Sequence, residues 1–123
     1  VAHHDPEGVG ATCAVVWFAD RVVELGGEPL LVVPARKASL AVPEIACVSS
    51  SPVVKTLTKR RFTPSFAWTG GVLLVAWPDR ALLARVLADA RATAVCVLDD
   101  AGLDVAGAVS LTGRPGGDLL VAG

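Results

Sequence analysis

Apolar residues in this chain fall into short dense runs cut by Pro, Gly and single acids. Pro29-Leu30-Leu31-Val32-Val33-Pro34 is one such run, Gly71-VLLVAW-Pro78 a second and AVCVL, ending at Leu98, a third. Runs of four to seven apolar residues bounded by turn formers read as strands buried on both faces. Between the second and third lies RALLARVLADAR, in which Leu82, Leu83, Val86, Leu87 and Ala90 recur at helical spacing. Strand 72–76, helix 79–91 and strand 94–98 thus form a βαβ unit, the connection that parallel neighbours require. A further strand is expected over 118–122, after the turn Arg114-Pro115-Gly116-Gly117.

The amino-terminal third follows the same alternation. Asp5-Pro6-Glu7 has a capping acid, a first-turn Pro and a second acid at the positive end of a helix dipole. It predicts a helix running to about Leu25 and stopping at Gly26-Gly27. A strand through AVVWF is the rival reading. Arg36 to Ser50 shows no decisive period. Ser51-Pro52 predicts a short amphipathic helix, with Val53, Val54 and Leu57 inward and Lys55, Lys59 and Arg60 outward. Residues 62–69 read as a loop anchored by Phe66 and Trp68. The αβαβαβ order predicts a single α/β domain over 1–123, a three-layer sandwich on a small, mainly parallel sheet of three or four strands. A sheet this small leaves edges that a second copy can cover, so a homodimer is one expectation.

Composition narrows the class. The chain has 123 residues, of which 53% are hydrophobic, with a net charge of −1. That excludes a disordered chain and a uniformly basic one. Asn, Gln, Tyr and Met are absent and Ile45 is the only isoleucine, the mark of a GC-rich coding sequence. Charge is uneven: residues 1–35 hold five acids and one base, residues 36–61 one acid and six bases. Cys13, Cys47 and Cys96 match no metal or disulfide spacing and read as buried apolar residues in a reducing compartment. Trp17 and Trp77 read as core. The uncharged stretch Val9–Ala19 is too short to span a bilayer, so the expected location is the cytoplasm, with no membrane partner.

Parallel sheets bind ligands beyond the carboxyl ends of their strands. That rim is expected to gather His3, Asp5 and Glu7 with Asp79 and Asp99. Imidazole and carboxylates together suit Mn or Mg, and such an ion can activate water for phosphoester hydrolysis. The same acids also fit plain helix capping. Gly8-Val9-Gly10-Ala11-Thr12 lacks the pattern of a phosphate loop and reads as a close-packing helix start. Lys55, Lys59, Arg60 and Arg61 form a basic run that can meet nucleic-acid phosphates, with Phe62, Phe66 and Trp68 nearby to stack on bases.

The first 33 residues resemble the first motif of DHH-type phosphoesterases. His3, Pro6 and Glu7 match H-x-x-P-acid, followed in order by the helix GATCAVVWFADRVVE, Leu25-Gly26-Gly27-Glu28 and the strand PLLVV. The resemblance implies metal-binding roles for His3 and Glu7 and a metal-facing acid at the end of a later strand, for which Asp99 is the nearest candidate. Val9 stands where the family has its second acid, and no Asp-His-His occurs. The leading expectation is therefore a non-catalytic regulatory or protein-interaction module. The alternatives are a divalent-metal-dependent phosphoesterase-like domain acting on a phosphate ester or nucleotide, and a nucleic-acid-associated module.

Overall fold

The structure, a computed structural model, describes residues 10–35, 40–63, 65, 67–98 and 119–122. Helix α1 (Gly10–Leu25) leads to β1 (Leu30–Val33), α2 (Pro43–Ser49) and β2 (Lys55–Thr58). Then come β3 (Gly71–Ala76), α3 (Arg80–Ala88), β4 (Ala92–Leu98) and β5 (Leu119–Ala122). The strands form one five-stranded sheet in the order β2-β1-β3-β4-β5, and every neighbouring pair is parallel. The α/β class and parallel sheet follow the sequence pattern; the strand count exceeds the expected three or four.

The additional strand comes from a segment expected to be helical. Lys55–Thr58 is β2, and residues 51–54 form a turn closed by the Val54 N–H on the Ser51 carbonyl. A short helix there leaves one side of β1 unpaired, whereas strand pairing satisfies it. Lys55 donates to the Pro29 carbonyl and Lys59 to the Val33 carbonyl, at 3.2 and 2.9 Å. Two β-branched threonines flank the buried Leu57, which suits a half-buried edge strand. The indeterminate stretch before it contains α2, begun by Pro43 and Glu44 and seated through Ile45 and Val48.

Both sheet faces are covered. On one, Leu31, Val33, Val72, Leu74, Ala94, Cys96 and Leu98 pack under α1 and α2, which contribute Ala14, Phe18, Ile45 and Val48. On the other, Leu30, Val32, Leu73, Val75, Val95 and Val97 pack under α3 and the 59–69 segment, through Leu82, Leu83, Val86, Leu87, Phe62 and Trp68. Each fully buried aliphatic contributes about 1.5–3 kcal/mol. The double burial accounts for the near-continuous apolar runs.

Helix ends are set by local chemistry. The N–H of Gly26, at φ +68°, reaches the Val22 carbonyl at 2.9 Å. Gly27 bridges Gly71 so closely that a Cβ there would sit 2.8 Å from the Gly70 carbonyl oxygen. Helix α3 stops three residues short of the expected Arg91. Asp89 accepts the Arg91 backbone N–H at 3.0 Å and the Arg91 guanidinium at 2.7 Å, and this turn ends the helix. Ala90, placed on the buried stripe by periodicity, is consequently exposed. Among the cysteines only Cys96 is buried; Cys13 is half-buried and Cys47 exposed. Trp17 and Trp77 are half-buried against the core and do not lie within it. No described helix is long and apolar enough to cross a membrane.

Candidate functional site

From β1 the chain crosses to β2 on one side; from β3 it proceeds through β4 to β5 on the other. The switch point therefore lies between the carboxyl ends of β1 and β3, where open parallel sheets form their crevice. Helix α3 starts at that edge. So does α1: its far end is tied to the start of β3 by the Glu28 N–H on the Gly70 carbonyl (2.9 Å). Sixteen helical residues then span the sheet, about 24 Å.

Asp79 is the described acid at this rim. Its Oδ1 accepts the Leu82 N–H at 2.8 Å as the cap of α3, and its Oδ2 accepts the Lys59 ammonium at 3.2 Å. The Leu82 bond, then the Lys59 bond, hold its carboxyl below the ordinary carboxylate range. Pro78, just before it, is buried, and Trp77 carries a left-handed φ of +46°. That conformation is rare for a bulky residue. The Trp77 N–H donates to the Leu98 carbonyl at 2.7 Å, joining the exits of β3 and β4.

Of the five expected metal ligands, Asp79 alone is described; His3, Asp5, Glu7 and Asp99 lie outside the described residues. Among the described residues no three His, Cys, Asp or Glu side chains come together as a metal cluster.

The basic run is divided by the strand that replaces the expected helix. Lys55 begins β2 and Lys59 follows its end, about 13 Å further on at the rise of an extended chain. Lys59, Arg60 and Arg61 turn together at the carboxyl edge, where the Arg61 N–H bonds the Thr58 carbonyl at 3.0 Å. A residue the sequence reading missed joins them: Arg85 of α3 donates to the Phe62 carbonyl at 3.3 Å. Phe62 and Trp68, considered as stacking platforms, are buried edge-to-face with centroids 6.4 Å apart. They anchor the segment; Phe66 lies outside the described residues.

The other layer carries an apolar groove of about 250 Å³ between α1 and the turn before β2, lined by Val15, Phe18, Val22, Val23, Val53 and Val54 among others. Val23 is 87% exposed, Val53 65% and, further along α1, Val16 56%. A second depression, of about 290 Å³, lies along the carboxyl-terminal half of α3, beside Phe62, Arg85, Asp89 and Arg91. Arg91 is engaged there by Asp89, the Trp68 ring and the Thr63 carbonyl. No family model, curated protein or solved structure matches the chain.

Proposed function

We propose that this chain is a non-catalytic regulatory or protein-interaction domain whose contact surface is the α1 groove. The observation that carries the reading is the exposure of Val23 and Val53 on the rims of that apolar groove. Grouped exposed valines mark contact sites more often than scattered ones do. The test is site-specific photo-crosslinking in cells of the source organism, with benzoylphenylalanine at Val23 or, as control, at exposed Ala84 of α3. Defined polypeptide adducts from position 23 and none from 84 are expected. Absence of adducts from 23, or equal yields from both, overturns the reading.

A divalent-metal-dependent phosphoesterase-like activity is the second reading. It is favoured by the meeting of the α1 start, the β3 exit with Asp79 and the β4 exit at one edge. His3, Asp5, Glu7, Asp79 and Asp99 would hold the ion, and Mn or Mg would supply an activated water. Asp79 fits as one ionised donor, with Lys59 competing for its Oδ2. Under this reading Mn raises the melting temperature by linkage and His3→Ala with Glu7→Ala abolishes the rise; an unchanged wild-type melting temperature rejects it.

A further inference from the structure

We infer that Lys59, Arg60, Arg61 and Arg85 form a contact surface for the phosphodiester backbone of double-stranded nucleic acid, held without base stacking. The cluster is made by tertiary structure. The Lys59–Asp79 pair and the Arg85–Phe62 bond fasten the turn after β2 to α3, so side chains 24 to 26 residues apart in sequence share one face. Arg80, following Asp79, adds a further exposed cation at the same end of α3.

Among the described residues these four cations meet Asp79, and Asp89, the next acid along α3, is paired with Arg91. The described acids of the opposite layer, Asp20, Glu24 and Glu44, stand with Arg21 alone. Among its described residues, a chain of net charge −1 thereby presents a positive face. Three of the four cations are arginines, whose planar forks match phosphate oxygens and stay charged at any working pH.

The described aromatics beside the cluster favour a duplex over a single strand. Phe62 and Trp68 are buried, leaving neither available as a platform on which single-stranded bases stack. The exposed large apolar side chains among the described residues, Val16, Val23, Leu25 and Val53, belong to α1 and the turn before β2. A bilayer surface is gripped by charge together with inserted apolar groups, and the described basic face supplies only charge. Backbone contact with a duplex remains, its affinity set by counterion release.

The surface lies on the layer opposite the α1 groove, so its failure leaves the interaction reading standing, and the converse holds. The experiment is fluorescence anisotropy of the full chain with a labelled random-sequence DNA duplex over a salt series. Three or four phosphate contacts give a slope of log K against log salt of about −2.7 to −3.6. Arg60→Ala with Arg61→Ala removes two of them and makes the slope shallower by about 1.8. Arg85→Ala shifts it in the same direction by about half as much, and Lys55→Ala leaves it unchanged. All these side chains are exposed, and circular dichroism of each variant confirms folding. No duplex binding at low salt, a slope indifferent to Arg60 and Arg61, equal loss with Lys55→Ala, or preference for phosphatidylserine vesicles or polyglutamate overturns the inference.

Discussion

Replacing Trp68 with Phe tests how the 59–69 segment, which carries the basic turn, is held. The Trp68 indole N–H donates to the Glu28 carbonyl at 2.8 Å, a bond across 40 residues that fastens the segment to the amino edge of the sheet. The ring is buried, meets Phe62 edge-to-face and lies under the Arg91 guanidinium at 5.3 Å. Phe keeps an aromatic ring and deletes the donor. Losing a part-buried hydrogen bond costs about 1–3 kcal/mol. The missing part of the ring adds about 1 kcal/mol of burial, for a total of about 2–4 kcal/mol. A 123-residue domain has about 6–18 kcal/mol to lose, so the variant folds and the loss is measurable. With a urea m-value of about 1.5–2 kcal/mol per molar, the unfolding midpoint falls by about 1–2.7 M. Trp17→Phe, at a half-buried indole on α1, is the control and moves the midpoint by less than half as much. Equal shifts for the two variants would show that the indole bond is not made in solution and that the segment is not clamped there.

Gly70→Ala meets both a φ of +104° and a Cβ 2.7 Å from the Arg91 carbonyl oxygen; a loss of more than about 2 kcal/mol is expected in the same assay, since strain of this kind alone costs about 1–2. Val23→Asp, at a position 87% exposed, changes stability by less than about 0.5 kcal/mol; a larger loss would make the groove a structural feature. The native carboxyl of Asp79 titrates below its unfolded value of 3.8. Its contribution is therefore full above that pH and lost as pH falls through the lower native value. Asp79→Asn should flatten the stability profile in that acid window alone, as read by melting temperature against pH. Burial pushes the Cys96 thiol well above its ordinary range, so a thiol reagent at pH 8 labels exposed Cys47 rapidly and Cys96 only on unfolding; prompt labelling of Cys96 in the native state contradicts the packing of α1.

What the sequence revealed followed burial. The LLVV, VLLVA and AVCVL runs were legible because each strand is covered on both faces. Helix α3 was legible because Asp79 caps it and four residues form its stripe. The segment Lys55–Thr58 misled because it is short, lies at an edge and holds one buried residue, too little to establish a period. Its pairing is decided by the unsatisfied side of β1, a tertiary fact. Helix α2 has seven residues, fewer than a reliable helical period needs. The basic cluster was half legible: Lys59, Arg60 and Arg61 are consecutive, but Arg85 joins them only because α3 crosses back over the sheet. Lys55 shared their helix face only on the expectation that the segment was helical. Of the proposed metal set, Asp79 lies where the strand-end rule placed it.

The parallel order of the sheet underlies every placement of a side chain on a face or an edge. Its most direct test is the pattern of interstrand proton contacts in the nuclear magnetic resonance spectrum of the isotope-labelled chain. The expected result is that β1 shows contacts to both neighbours in parallel register, Leu31 with Thr56 on one side and with Leu74 on the other. Strong Hα–Hα contacts, the mark of antiparallel pairs, or a β1 without β2 beside it would contradict the fold and dissolve the basic face with it.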